Sequence, residues 1–197
     1  MAELWNNDPV MQRLTASIPE PQPSAVQDPY VYLLRAIISQ QLSTRVAAVI
    51  YDRFLKLFPN GYPDAEGLLA MPAETLRAAG LSGQKTSYLK NIATFHLATP
   101  IDPTHLEAMS DEEVIRHLTT IKGVGRWTVE MLLMFPMNRP DVFPIDDLGI
   151  RQSIITLYGL TETGKALQTR LVEVAEKWRP HRTLACKYLW RARDGGK

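Results

Sequence analysis

LTTIKGVGRWTVEMLLMFPMNRPDVFPIDDLGI, residues 118–150, joins two segments of helical period through a glycine-paired turn. The turn itself is Ile121-Lys122-Gly123-Val124-Gly125. Gly123 and Gly125 are expected to take backbone angles closed to other residues, so that the chain reverses tightly. A helix predicted from about Arg126 then presents its unbonded first-turn N–H groups and the positive end of its dipole. Such a terminus holds a phosphate whatever base it carries, and Lys122 and Arg126 add charge beside it. Twenty-two residues beyond Gly125 stands Asp147, in Pro144-Ile145-Asp146-Asp147 at the head of another helical pattern. A phosphate grip followed by a carboxylate points to an enzyme that holds a nucleic-acid backbone while attacking one nucleotide.

The 197 residues suffice for one domain, or two lobes sharing a cleft, with a real core. A net charge of +1 excludes a globally basic nucleic-acid binder, so a binding face has to come from local patterning. The single cysteine, Cys186, excludes a disulfide framework and an internal four-cysteine cluster. With no long apolar run and no charged-then-apolar leader, a soluble cytoplasmic protein is expected, nucleoid-associated if bacterial.

Hydrophobic periodicity predicts helices throughout and no convincing strand, hence an all-α protein. One helix is expected within residues 4–18, closed by the proline-rich Pro19–Pro29 segment. Tyr30, Leu33, Leu34, Ile37 and Ile38 share a face of the next. Ser43 caps a third whose stripe is Val46, Val49, Ile50, Phe54 and Leu57, stopped by Pro59-Asn60-Gly61. Shorter helices fit residues 64–70 and 72–79, the latter with Pro72 at its first position; another fits about 84–97. Ser110-Asp111-Glu112-Glu113 matches a capping box. Helices near 148–158, 163–178 and 180–192 complete the chain.

The hairpin and Pro-x-Asp-Asp at this separation resemble the helix-hairpin-helix DNA glycosylases, and within them the 3-methyladenine DNA glycosylase II branch. That superfamily reads Leu-Pro-Gly-Val-Gly, then a helix, then a Gly/Pro-rich segment with the catalytic aspartate; Lys122 here replaces the proline. A Gly-Val-Gly hairpin alone also serves ligases and polymerases purely for grip. The run Trp178-Arg179-Pro180-His181-Arg182…Ala185…Leu189-Trp190 looks like a second block of the glycosylase II branch. The resemblance implies one helical lobe of about 30–135 and another of about 1–29 plus 136–197, forming a single helix-hairpin-helix unit with a cleft between them. The extra N-terminal β domain of some relatives is not expected.

It also implies a set of site residues. Asp147, three residues before Ile150, takes the catalytic position; Asp146 is left to cap the helix or hold the loop, though on local sequence either aspartate could merely cap. Trp127 stands where lyase-competent relatives have a nucleophilic lysine, which implies a monofunctional enzyme using water. Trp190 lines the base pocket, while Trp178 and Cys186 read as core. In Ile38-Ser39-Gln40-Gln41-Leu42-Ser43, Gln41 takes the position of the wedge that fills the gap left by an extruded base, with Leu42 its neighbour. Lys85, in Gly80–Tyr88, is a candidate phosphate contact, alongside Gly123, Val124, Gly125 and Arg126. The carbonyls of Thr119, Ile121 and Val124 are implied ligands of a structural Na⁺ or K⁺; no other cofactor is expected, and the histidines lack metal-ligand spacing. The implied activity is hydrolysis of the N-glycosidic bond of alkylated purines of the 3-methyladenine and 7-methylguanine type in double-stranded DNA, by a monomer. The rival readings are a glycosylase for another lesion, such as uracil or mismatched thymine, and a non-catalytic hairpin that only anchors DNA.

Overall fold

The computed structural model describes residues 2–25, 27–193 and 195. Among them are a 3-10 turn, Ala2–Trp5, and twelve α-helices, with no strand and no helix long and apolar enough to cross a membrane. The chain divides into two compact units, Val26–Leu132 and the pair Met1–Ala25 with Leu133–Lys197.

The Val26–Leu132 unit is built from α2 (Pro29–Ser39), α3 (Thr44–Leu55), α4 (Ala65–Ala70), α5 (Ala73–Ala78), α6 (Gly83–Ala98), α7 (Pro103–Glu107), α8 (Asp111–Leu118) and most of α9 (Arg126–Met134). Helix α6 is its centre, with α2, α4 and α5 packed on it. Leu89, Ile92 and Ala93 of α6 are fully buried, as are Tyr30, Leu33, Leu34, Ile37 and Ile38 of α2. Helix starts follow the capping chemistry of the sequence: Asp28, Ser43, Asp64, Ser82, Asp102 and Ser110 each accept a first-turn amide. Ser110 and Glu113 form the full reciprocal box. Two expectations are corrected. Pro72 lies just outside α5 with an extended ψ of 142°, so Ala73 is the first helical residue. On α3, Phe54 of the expected stripe is buried and Ile50 and Leu57 are half-buried, but Val46 and Val49 are 46% exposed, and Ala47 is buried in their place. Periodicity marked the stripe on α3, and only its Phe54 end is fully covered. Helix α7, opened by Asp102-Pro103, was not anticipated.

The second unit holds α1 (Pro9–Ser17), α10 (Leu148–Tyr158), α11 (Gly164–Glu176) and α12 (Arg182–Arg193). The short helix expected within residues 4–18 is α1, and it begins only after Asp8. Pro9 disfavours helical angles in the residue before it, and Asp8 sits at φ −140° and ψ 87°. Asp8 is 2% exposed yet fully engaged. Its Oδ1 accepts the amides of Val10 and Met11, both at 3.1 Å. Its Oδ2 accepts the indole N–H of Trp178 at 2.9 Å and the hydroxyl of Tyr158. Four donors compensate the cost of burying this carboxylate and tie the N-terminal segment to α10 and to the end of α11. Trp178 and Cys186 are buried, as expected. Asp141 closes the unit's loop onto α12 through Arg182, with Nε to Oδ1 at 2.7 Å and Nη2 to Oδ2 at 3.0 Å.

Candidate functional site

In the Val26–Leu132 unit, α8 leads into the hairpin and α9 leaves it. The turn is closed by Ile121 N–H to the Leu118 carbonyl at 3.1 Å and Val124 N–H to the Ile121 carbonyl at 3.0 Å. Ile121 and Val124 are buried and anchor it, while Lys122, Gly125, Arg126 and Trp127 face solvent. Gly123 sits at φ +107°, and a Cβ there would fall 2.3 Å from the Tyr88 ring. Only glycine satisfies both constraints. Gly125 differs from expectation: its φ is not positive, and nothing lies within 4 Å of where its Cβ would be. The fold does not require a glycine there; a close approach of something external would.

The start of α9 is exposed at Gly125, Arg126 and Trp127, at the end of the helix where N–H groups point outward. The charge beside it is less available than the sequence implied. The Arg126 guanidinium is paired with Glu112, and its Nε donates to the buried Glu130 at 2.9 Å. The Glu112 hydrogen bond raises the arginine pKa, and the same bond lowers that of Glu112. Trp127, the second residue of α9, is 44% exposed, so this indole is not a core residue.

Gln40, Gln41 and Leu42 form the turn between α2 and α3. Gln41 has φ +57°, left-handed space that a non-glycine residue enters at a cost, and Leu42 is exposed. Lys85, from the first turn of α6, is placed otherwise than a phosphate contact would be. Its ammonium donates to the carbonyls of Ile38 at 2.7 Å and Gln40 at 2.8 Å.

The carboxylate belongs to the other unit. Asp147 is the N-cap of α10: its Oδ1 accepts the Ile150 amide at 2.8 Å and the Trp190 indole N–H at 3.1 Å. Asp146 is exposed and does not cap; that role, expected of it, falls to Asp147. The cap holds the Asp147 carboxylate against the start of the helix. Trp190 also stacks on Phe135, with ring centroids 5.7 Å apart, and Lys187 Nζ lies 5.3 Å above the Phe135 ring. Burial lowers the Lys187 pKa.

Three residues of this cluster were missed in the sequence. A Cβ on Gly149 would stand 3.2 Å from Asp147 Oδ1, 3.4 Å from Trp190 Cδ1 and 2.4 Å from Arg193 Nη1. The absent side chain lets the indole reach the carboxylate. A glycine in the first turn of a helix, where it is unfavourable, was the available signal. Lys187 precedes Trp190 by three positions and so shares its helix face; Phe135 carried no local signal.

Residues 34–180 match the family model of the HhH-GPD superfamily base excision DNA repair proteins. DNA-3-methyladenine glycosylase 1 of Schizosaccharomyces pombe is 43% identical over 168 residues, covering 84% of this chain and 72% of that protein. The structure of the S. pombe 3-methyladenine DNA glycosylase in complex with abasic DNA superposes with a TM-score of 0.84 at 37% identity, covering 98% of this chain and 96% of the other. A DNA-3-methyladenine glycosidase from Bacillus halodurans superposes with a TM-score of 0.86 at 33% identity, covering 96% and 86%. The chain belongs to the helix-hairpin-helix superfamily of base-excision DNA repair proteins, in its 3-methyladenine DNA glycosylase branch.

Proposed function

We infer that this protein removes alkylated purines from double-stranded DNA by hydrolysing the N-glycosidic bond and leaves the strand uncut. The observation that carries the reading is Asp147, a carboxylate steadied by the Ile150 amide and the Trp190 indole in a chain of this family. A paired base hides its sugar carbon within the duplex, so the nucleotide must be flipped out before anything reaches C1′. Methylation at N3 or N7 makes the purine cationic. When the C1′–N bond breaks, its electron pair goes to the purine, which departs neutral, and the positive charge passes to the sugar. The Asp147 carboxylate stabilises that cation and orients the attacking water; the water oxygen bonds to C1′ and its proton goes to solvent. Trp190 and the exposed Trp127 offer electron-rich faces to an electron-poor base, each worth about 0.5–2 kcal/mol.

Trp127 has no amine, so no Schiff base forms there and no strand-cleaving step follows. The exposed hairpin and the first-turn amides of α9 hold a backbone phosphate, and Gln41 with Leu42 fills the space that the base vacates. The carbonyls of Thr119, Ile121 and Val124 are hard oxygen donors suited to a monovalent cation. The Ile121 oxygen keeps a second lone pair beside its bond to Val124. A cation bound there adds positive charge at the phosphate-binding turn.

The test is chromatography of bases released from methylated duplex, with gels of end-labelled product run with and without alkali. Release of 3-methyladenine and 7-methylguanine, with strand breaks only after alkali, is expected. Release of uracil but no methylpurine overturns the substrate class; breaks without alkali, with a borohydride-trapped covalent complex, overturn the monofunctional mechanism.

A further inference from the structure

We propose that Lys85 is a positioning residue for base flipping: it locks the turn carrying Gln41 and Leu42 by binding two carbonyls at the end of α2. The proposal rests on the wedge role given to that turn above. Helix α2 ends with the Gln40 amide donating to the Ile37 carbonyl at 3.3 Å, and the Leu42 amide donates to that of Ser39 at 3.3 Å. Between them Gln41 is held at φ +57°. A non-glycine residue keeps such an angle only where its surroundings fix it. The fixing group is visible. The Gln40 carbonyl belongs to the peptide plane from which the φ of Gln41 is measured, and Lys85 Nζ binds that oxygen at 2.8 Å. The second bond, to Ile38 at 2.7 Å, crosses back to the last turn of α2. One ammonium thus ties the loop's entry plane to the helix it leaves.

Lys85 itself has a firm base. Its amide donates to the Ser82 cap at 3.2 Å in the first turn of α6, and α6 packs against α2. An ammonium suits the place: it carries three donors and no acceptor, and its charge opposes the negative end of the α2 dipole. Partial burial lowers its pKa, consistent with a group drawn from water onto the backbone. A lysine committed to two carbonyls has little left for a phosphate, so its part in DNA handling is indirect.

The same helix supplies a matched control. Lys90 Nζ makes the same kind of double bond, to the carbonyls of Leu69 at 3.1 Å and Met71 at 2.8 Å, at the end of α4. Lys85→Met and Lys90→Met each delete one lysine-to-two-carbonyl tie, but only the first frees the Gln41 turn. The experiment measures single-turnover release of 7-methylguanine at saturating protein from two duplexes. In one the lesion faces cytosine; in the other it faces an abasic-site analogue, so that flipping is nearly free.

Lys85→Met should be about tenfold slower on the paired lesion, which corresponds to about 1.4 kcal/mol of barrier, and close to wild type opposite the abasic analogue. It should match Gln41→Ala in this pattern. Lys85→Arg, which still presents donors, should recover most of the loss, and Lys90→Met should show no context dependence. Equal slowing of Lys85→Met on both duplexes overturns the proposal. So does a loss of affinity for any DNA with a salt slope reduced by about one, the signature of a lost phosphate contact. A wild-type protein that releases no methylpurine from either duplex refutes the assigned function, and the proposal with it; an active wild type isolates the failure to Lys85.

Discussion

Replacing Asp147 by asparagine and by alanine separates the cap that this carboxylate forms from the catalytic role proposed for it. Its Oδ1 accepts the Ile150 amide at 2.8 Å and the Trp190 indole at 3.1 Å. Asparagine keeps an acceptor for both donors and deletes only the charge. Alanine removes the cap, at about 1 kcal/mol, and strands the indole N–H, at about 1 kcal/mol more. The sum, about 2 kcal/mol, should lower the melting temperature of a chain this size by about 4–8 °C. Asp147→Asn should melt near wild type. Both variants should lose base release by about 10²–10⁴, the scale of a positioned catalytic group. Asp146→Asn should keep activity and stability, since Asp146 is exposed and caps nothing. The assay is single-turnover release of 3-methyladenine or 7-methylguanine at saturating protein, with thermal melts of the same preparations. An asparagine variant that releases base at the wild-type rate would refute the catalytic assignment. An inactive Asp146→Asn would place the chemistry one residue earlier.

The two hairpin glycines should behave oppositely. Gly123→Ala meets both a positive φ and the Tyr88 ring and should cost about 2–4 kcal/mol in urea unfolding. Gly125→Ala has open space and should melt like wild type while binding damaged and undamaged duplex more weakly alike; loss confined to damaged DNA would assign Gly125 to base recognition. Asp8→Ala strands the donors of Trp178 and Tyr158 and should cost at least about 3 kcal/mol in the same unfolding experiment. Glu112 is held below the ordinary carboxylate value of 4.5 by its hydrogen bond to Arg126. Its stabilising share is therefore present above that value and lost as the pH falls through the depressed one. Glu112→Gln should be less stable than wild type at pH 6 and converge with it in acid; a gap that widens in acid would contradict the pairing.

The order of elements was legible in the sequence because most helix boundaries are local events. Ser110 reaches Glu113 three residues on, Ser43 and Ser82 reach amides three residues on, and Gly123 carries its own backbone freedom. The position of Asp147 at the head of a helix was legible for the same reason. What packing alone decided are the pairings across sequence distance. Nothing near Asp147 announces the Trp190 indole 43 positions away, nor anything near Lys85 the carbonyl of Ile38, 47 positions away. Asp8 finds its indole 170 residues on. The charge beside the hairpin was countable, but its commitment to Glu112 depends on how α8 and α9 meet. Periodicity states which residues share a helix face, whereas burial requires a second surface to cover it. Val46 and Val49 keep the period of a core stripe yet are 46% exposed, while Phe54 on the same stripe is buried.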